Sequence, residues 1–228
     1  MYFWKVEKNI MKISVAIDGP AGAGKSTIAK LVGKKFDLMY INTGAMYRAV
    51  ALLAKRNNID TTNVEKLMSM IDDMDMRFEN DDLILDNINI QNEITMPEIS
   101  EIVSDYASIP EVRRKLVFLQ RKMSEKYNVI MDGRDIGTVV LKNSRFKFFL
   151  TASAEERARR RYNELINRGL DVNYDKLLED IIKRDHIDST RAVDPLRKAD
   201  DAIEIDSSNY NINEVTEIIC NFIENDLQ

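Results

Sequence analysis

Residues 19–26, GPAGAGKS, place three glycines, a lysine and a hydroxyl in the pattern glycine, four residues, then Gly-Lys-Ser/Thr. Glycine lets the backbone curl so that successive N–H groups point inward, and the positive end of the following helix is aimed at the same spot. In such a loop Lys25 would reach the β- and γ-phosphate oxygens of a triphosphate, and Ser26 would offer its hydroxyl to Mg²⁺. The sequence therefore predicts a triphosphate site made of nine consecutive residues: Gly19, Pro20, Ala21, Gly22, Ala23, Gly24, Lys25, Ser26 and Thr27.

The alternative for this loop is a glycine-rich turn whose lysine is merely solvated. An apolar strand, 12–18, precedes the loop and a helical pattern, 25–36, follows it, which is the context that phosphate binding requires. The loop alone does not identify the reaction. The guanine-binding pattern Asn-Lys-x-Asp of GTPases is absent from the sequence, and motor or transporter ATPases are usually larger.

Arginines and hydroxyls also occur in four other segments, each just past a predicted strand or at the end of a predicted helix. In the first of them Thr43 is predicted to cap a helix that carries Arg48, and in the last Arg184, Asp188 and Arg191 are predicted to lie beyond a helix end. Loops that follow parallel strands converge at one edge of the sheet, so these side chains should gather beside the phosphate loop and bind a second anion. The segments are NTGAMYR (42–48), SDYASIPEVRRK (104–115), MDGRDIGTVV (131–140) and RDHIDSTRAVDPL (184–196).

Taken together, these segments resemble the bacterial cytidylate kinases, which are nucleoside monophosphate kinases of the P-loop class. The resemblance covers nearly the whole chain from Met11, with DGPAGAGKS, TGAMYR, DGRDIGTVV and RD..D..RAV.PL in the family's order. It implies transfer of a phosphoryl group from ATP to CMP or dCMP. The sequence departs from the family at Asn42, where the family often has Asp.

The resemblance also implies which side chains contact each part of the acceptor nucleotide. A carboxylate facing the N4 amino group of cytosine would attract that base and repel the O4 of uracil. Tyr47 is expected either to stack on the acceptor nucleotide or to pack in the core. The implied contacts are Ser104, Arg113 and Asp135 for the cytosine, Arg184 and Asp188 for the sugar, and Arg48, Arg134 and Arg191 for the phosphate, with Thr43 nearby.

A monophosphate acceptor needs no general base, because it is largely dianionic at neutral pH. It does need its charge neutralised beside ATP, and arginines and Mg²⁺ can do that. Lys25 and Arg134 are therefore candidate catalytic residues. Asp132, at the end of a strand, is expected to hold Mg²⁺ through water, with a turn or capping role as its alternative.

The segment 155–172 is predicted to be a lid that closes over the triphosphate and excludes water. Arg157 and Arg161 lie four residues apart, hence on one helix face, and both are predicted to contact the transferring phosphate. The alternative is a solvated helix face balanced by Glu155 and Glu156.

The elements that must position these residues alternate between strand and helix, which is typical of an α/β fold. The pattern, with the resemblance, predicts a P-loop kinase core with a five-stranded parallel sheet flanked by helices. The predicted strands are 12–18, 38–42, 128–132, 145–151 and 202–206, and the predicted helices are 25–36, 45–57, 110–127, 154–167, 175–186 and 213–225.

One stretch, 76–95, has short apolar runs separated by NDD and DN, which predicts antiparallel hairpins. With helices 63–74 and 97–107 it should form a small nucleotide-binding lobe, 61–107, inserted into a core formed by 11–60 and 108–228. Residues 1–10 are predicted to be an N-terminal extension.

Composition limits the classes of function. A net charge of −5 argues against a protein that coats nucleic acid or anionic membrane, and the single cysteine, Cys220, excludes an internal disulfide. We expect a monomeric cytoplasmic protein that binds ATP, CMP, dCMP and Mg²⁺ and neither nucleic-acid polymers nor membranes. Two alternatives remain open: another small-molecule P-loop kinase, for a different nucleoside monophosphate or for shikimate, and a non-catalytic nucleotide-binding module.

Overall fold

A central sheet of five parallel strands confirms the predicted core, and its strands lie in the order Met39–Asn42, Val129–Gly133, Ser14–Asp18, Phe146–Thr151 and Ile203–Asp206. The computed structural model describes residues 12–227, so the predicted extension, 1–10, lies outside the described residues. A second sheet, β3-β4-β5, is antiparallel. The strands are β1 Ser14–Asp18, β2 Met39–Asn42, β3 Met76–Glu79, β4 Asp82–Leu85, β5 Ile88–Asn89, β6 Val129–Gly133, β7 Phe146–Thr151 and β8 Ile203–Asp206.

Helices cover both faces of the central sheet, and alternate residues of its strands point into two separate hydrophobic cores. Ala16, Ile41 and Met131 face one core, whereas Ile17 and Ile130 face the other. The helices are α1 Lys25–Phe36, α2 Thr43–Arg56, α3 Val64–Asp73, α4 Gln91–Ile94, α5 Pro97–Ala107, α6 Pro110–Lys126, α7 Ala154–Asn167, α8 Tyr174–Thr190 and α9 Ile212–Leu227, with a π-helical turn at Ile136–Val140 and a 3₁₀ turn at Ser207–Asn209.

The small sheet contains the predicted hairpins. Its two connections, Asn80 with Asp81 and Asp86 with Asn87, have positive φ at both residues. Two-residue hairpin turns of type I′ require this conformation, and Asn and Asp adopt it more readily than other non-glycine residues. The Asn and Asp pairs that separated the apolar runs in the sequence are thus the turns themselves.

The register of β1 against β6 brings two functional segments side by side. Asp18, the last residue of β1, pairs with Gly133, the last residue of β6. The phosphate loop that leaves β1 and the segment that leaves β6 therefore start at the same level of the sheet.

Two local predictions were wrong. The cap of α2 is Asn42, whose side chain accepts from the N–H of Ala45 at 2.9 Å, and Thr43 is the first helical residue. Helix α8 does not end at residue 186 but continues to Thr190.

The longer α8 also moves two predicted site residues. Arg184 and Asp188 lie within the helix and not beyond it, and Arg191 follows directly. Nothing in the sequence breaks the helix before Pro195, and the hydroxyl of Thr190 donates to the carbonyl of His186 at 2.7 Å inside the last turn.

No helix among residues 12–227 is both long and apolar enough to cross a membrane.

Candidate active site

A cavity of about 1160 Å³ lies between the phosphate loop and the helices α5, α7 and α8. A site for one small molecule usually measures roughly 300–1,000 Å³, so this cavity has room for more than one. Its walls include residues 21–27 of the loop together with Arg48, Ser104, Arg161 and Arg184.

The phosphate loop has the backbone that its glycines predict. Gly19 has φ of +145°, and a Cβ there would lie 2.0 Å from the carbonyl oxygen of Leu150 in β7, so no other residue fits. Lys25 is 5% exposed, and its ammonium donates to the carbonyl of Pro20 at 2.7 Å. Burial and the repulsion of Arg134 lower the pKa of Lys25, although Asp132 acts in the opposite direction. The buried ammonium group would be stabilised by an anion in the loop.

Ser26 and Asp132 meet at the edge of this loop. The hydroxyl of Ser26 donates to Oδ2 of Asp132 at 2.9 Å, and the hydroxyl of Tyr40 donates to Oδ1 at 2.8 Å. The pair of a hydroxyl and a carboxylate fits Mg²⁺, which typically binds through one or two carboxylates and the substrate phosphates while keeping several waters. Among residues 12–227 no group of three or more His, Cys, Asp or Glu is arranged to hold a metal alone. A magnesium ion here would depend on the phosphates.

Three arginines, Arg48, Arg134 and Arg184, converge beside the loop. Burial and the repulsion of Arg134 lower the pKa of Arg48 to about 10 and that of Arg184 to about 9. The Nε atoms of Arg48 and Arg184 are buried and have no hydrogen-bond partner within the described part of the chain. The site therefore carries positive charge that its own carboxylates do not neutralise, as expected for an anion site.

The other predicted acceptor residues form a chain of buried ion pairs. Nη2 of Arg113 lies 2.5 Å from Oδ2 of Asp135, and Nη2 of Arg191 lies 3.3 Å from Oδ1 of the same carboxylate. Arg191 also lies 3.6 Å from Asp188, which accepts from Nε of Arg134 at 2.8 Å. These residues stand together next to the cavity, and none of the five is among the residues that line it.

The pKa values of the two carboxylates in this series of ion pairs shift in opposite directions. Burial raises the pKa of Asp135, although Arg113 and Arg191 act in the opposite direction. For Asp188 burial also acts upward, but the attraction of Arg134 and Arg184 prevails and its pKa is lowered.

Ser104, Tyr47 and Thr43 are the remaining predicted acceptor residues. Ser104, in α5, is 4% exposed, and its hydroxyl has no partner among the described residues. The ring of Tyr47 packs against the guanidinium of Arg113, 5.4 Å from ring centre to Cζ. Tyr47 therefore packs, and whether it also stacks on a nucleotide stays a prediction. Thr43 is buried and donates to the carbonyl of Asp132 at 2.7 Å, which joins α2 to β6.

The two arginines of the predicted lid have different surroundings. Arg157 is 4% exposed and donates to the carbonyls of Ala152 (2.9 Å) and Ala21 (3.0 Å) and to Asp185 (2.6 Å). A solvated-face interpretation is wrong for this residue, since it anchors the phosphate loop.

Arg161 lines the cavity and joins α7 to the connection between α4 and α5. Its Nη2 donates to the carbonyl of Thr95 at 3.1 Å, and its Nη1 donates to Glu164 at 2.6 Å. Its side chain is 24% exposed, so it can reach a ligand in the cavity.

Four residues of the site were missed in the sequence: Asp18, Tyr40, Asp185 and Asp194. Each acts through a partner far away along the chain, as when Tyr40 contacts Asp132 or Asp194 lies 3.2 Å from Nε of Arg113. The available signals were that Asp185 and Asp194 lie inside the segment 184–196 and that Asp18 opens the segment DGPAGAGKS.

Known proteins match this chain along most of its length. The family model described as Cytidylate kinase matches residues 15–225. The cytidylate kinase of Clostridium perfringens strain 13 is 67% identical over 212 residues, which cover 93% of this chain and 98% of that protein. The cytidylate kinase of Clostridium acetobutylicum is 61% identical over 213 residues, with the same two shares covered.

A solved structure supports the fold independently. The crystal structure of an uncharacterized protein from Eubacterium ventriosum superposes with a TM-score of 0.50 over 94% of this chain and 99% of that chain, at 14% sequence identity. At this identity the similarity concerns the fold alone.

Proposed function

The chain belongs to the cytidylate kinase family, and from this premise we propose how its residues divide the work of the reaction. The enzyme transfers the γ-phosphoryl group of ATP to CMP and releases ADP and CDP. We propose that ATP binds at the phosphate loop and that CMP binds between Arg48, Ser104 and Arg184, at the far side of the same cavity. We further propose that residues 61–107 form the acceptor lobe.

The observation that carries this assignment is the surplus of buried positive charge between the proposed ATP and CMP sites. The Nε atoms of Arg48 and Arg184 lack hydrogen-bond partners among residues 12–227, although Nε of Arg184 lies 3.9 Å from Oδ2 of Asp188. Burial together with the repulsion of Arg134 lowers the pKa of both groups. A phosphate dianion placed there would supply acceptors for both guanidinium groups, and charge-assisted pairs of this kind are strong. Arg134 and Arg191 would complete the acceptor-phosphate site.

The base would be selected by Asp135, Ser104 and Arg113. The hydroxyl of Ser104 lacks a partner within the described residues, and the N4 amino group of cytosine can donate to it and to the carboxylate of Asp135. Arg113 holds Asp135 and would donate to the O2 or N3 acceptors of the ring. Uracil would set its O4 acceptor against the carboxylate.

The transfer itself depends on position and charge. The acceptor is already a dianion at neutral pH, so no side chain has to remove a proton. Lys25 would hold the β- and γ-phosphates, and Arg134 would bring the acceptor phosphate into line with them. Both cations stabilise negative charge that is shared between the two nucleotides in the transition state.

Ser26 and Asp132 would hold Mg²⁺, which when bound supplies further neutralisation of the triphosphate. Tyr40 fixes the carboxylate of Asp132 through its hydrogen bond to Oδ1. We propose Arg161 as the lid residue that reaches the transferring phosphate, with Arg157 beneath the phosphate loop as the second lid arginine.

We extend the proposal to dCMP, because dCMP carries the same base and the same phosphate as CMP and therefore offers the same proposed contacts to both. Asp188 and Arg184 are the proposed sugar contacts, and Arg184 would reach the sugar in addition to the phosphate. If their contribution runs through the 3′-hydroxyl, dCMP will be phosphorylated nearly as well as CMP.

A coupled assay of ADP release tests the function. ATP is supplied with CMP, dCMP, UMP, AMP, dTMP or shikimate, and a reaction without acceptor measures hydrolysis. We expect turnover with CMP and dCMP, much less with UMP, and none with the others. Preferential turnover of UMP, AMP, dTMP or shikimate, or ADP release that is independent of acceptor, would contradict the proposal.

A further inference from the structure

Asp18 is a buried carboxylate for which the reaction described above has no use. It ends β1, directly before Gly19 of the phosphate loop, and is 3% exposed. A buried carboxylate is costly unless hydrogen bonds compensate it, so its partners indicate what it is for.

Both oxygens of Asp18 accept hydrogen bonds from the backbone of a distant segment. Oδ1 accepts from the N–H of Ile136 at 2.8 Å, and Oδ2 accepts from the N–H of Gly137 at 2.7 Å. Ile136 and Gly137 open the π-helical turn that follows β6. We call these two hydrogen bonds the Asp18 clasp.

The clasp encloses two residues of the acceptor site. Gly133, which precedes them, is fixed by the sheet, because it pairs with Asp18 itself in the β1–β6 ladder. Ile136 and Gly137, which follow them, are fixed by the Asp18 side chain. Arg134 and Asp135 therefore lie in a two-residue segment whose two ends are both held by one residue of β1.

The close approach depends on the absence of a side chain at Gly137. A Cβ at this position would lie 3.4 Å from Oδ2 of Asp18 and 3.2 Å from Cδ of Lys147. Alanine there would displace only the flexible side chain of Lys147, whereas the larger side chain of valine should push the turn away from the carboxylate.

We propose that Asp18 is a positioning residue that sets where Arg134 and Asp135 stand relative to the phosphate loop. Because Asp18 directly precedes Gly19, the same point of the backbone positions both the phosphate loop and the acceptor residues Arg134 and Asp135. The inference rests on the proposed roles of Arg134 and Asp135 toward CMP.

The test is Asp18→Asn, whose amide can accept only one of the two N–H groups and turns an N–H donor toward the other. At pH 8, where the carboxyl of Asp18 is ionised, we expect the KM and the calorimetric Kd for CMP to rise about tenfold, the effect of losing one hydrogen bond to a charged acceptor. The KM for ATP should change less than about twofold, since the loop's own glycines and Lys25 remain. Amide hydrogen exchange at Ile136 and Gly137 should accelerate.

Ser144→Ala is the matched control. Ser144 is also buried and donates to the carbonyl of Ser14, at the opposite end of β1. The Ser144→Ala variant should be less stable than the wild type and should keep the wild-type KM values for CMP and for ATP. If Asp18→Asn does not fold, Gly137→Val should open the clasp from the other side and raise the KM for CMP alone.

Two results would overturn the inference. One is an unchanged KM for CMP in both clasp variants, and the other is an equal rise of the CMP and ATP constants. Wild-type protein that does not phosphorylate CMP would instead overturn the proposed function, so the two failures are distinguishable.

Discussion

Asp135 and Arg113 form a buried ion pair in which Oδ2 of the carboxylate lies 2.5 Å from Nη2 of the guanidinium. Arg113 is 1% exposed and Asp135 is 4% exposed. Neither charge can return to water when the other is removed, so each depends on its partner for stability as well as for any role toward the base.

Arg113→Ala should therefore be strongly destabilising. Loss of one partner of a buried pair typically costs about 3–5 kcal/mol, because the other charge stays buried. The remaining contact of Asp135 with Arg191 should keep the loss near the lower value. Urea denaturation followed by circular dichroism measures the free energy of unfolding. The control is the next residue, Arg114, whose side chain is 67% exposed and pairs with Glu111; its alanine variant should lose less than about 1 kcal/mol. Equal losses in the two variants would contradict the buried pair.

Lys25→Ala should abolish turnover and leave the fold intact. The ammonium is buried at the phosphate loop, and burial together with the repulsion of Arg134 lowers its pKa. Removal of this charge relieves repulsion, so the thermal midpoint should stay the same or rise. Circular dichroism and ADP release measured on one preparation test both parts. Near-normal ADP production by the folded variant would remove the lysine from the mechanism.

The two lid arginines should respond differently to lysine. Lysine cannot reproduce a planar guanidinium fork, so Arg157→Lys and Arg161→Lys should both lower kcat while leaving the KM for CMP nearly unchanged. Only Arg157→Lys should also lose stability, because Arg157 anchors Ala21 and Asp185. Stopped-flow kinetics and urea denaturation of both variants check this. An unchanged kcat in Arg161→Lys would return Arg161 to a solvated role.

Stability should depend on pH through Asp18. Burial raises the pKa of this carboxyl to about 7 against the two N–H donors and Lys25, from an ordinary value of 3.8. The native state then keeps the proton up to about pH 7, whereas the unfolded chain loses it near pH 4. The stability contribution is complete below the unfolded pKa and is lost as the pH rises toward the folded pKa.

Relative to Asp18→Asn, the free energy of unfolding of the wild type should fall by roughly 2–3 kcal/mol between pH 5 and pH 8. Groups that titrate equally in both proteins cancel in the difference. Urea denaturation of both proteins at pH 5, 6, 7 and 8 measures this difference in the free energy of unfolding. A difference that does not change with pH would mean that Asp18 stays ionised throughout.

Local features of the fold could be predicted because local rules govern them. The positive-φ turns at Asn80 and Asp86 follow from residue preferences within a few positions. The phosphate loop follows from glycines that no other residue can replace, as the contact between Gly19 and Leu150 illustrates. Buried strands and amphipathic helices differ in hydrophobic period, which is visible in any window of the sequence.

Contacts that depend on register could not be predicted in this way. Asn42 and Thr43 are both good caps, and only the geometry of Ala45 distinguishes them. The clasp joins Asp18 to a turn 118 residues away, and Tyr40 reaches Asp132 across 92 residues. No local pattern specifies such pairs. Periodicity likewise places Arg157 and Arg161 on one face but does not indicate that Arg157 is the buried one.

The carboxylate of Asp135 is proposed to select cytosine, and the ratio of kcat/KM for CMP to kcat/KM for UMP in Asp135→Asn tests this role. A carboxylate set against O4 should cost UMP roughly 1–3 kcal/mol, which is about ten- to hundredfold in kcat/KM. The variant should lose CMP activity far more than UMP activity. Asp194→Asn, which removes the other carboxylate beside Arg113, is the control. It should lower kcat/KM for CMP and for UMP by the same factor. The predicted result is that the CMP-to-UMP ratio of kcat/KM narrows in folded Asp135→Asn and not in Asp194→Asn. An unchanged ratio in folded Asp135→Asn would contradict the selection of cytosine by Asp135.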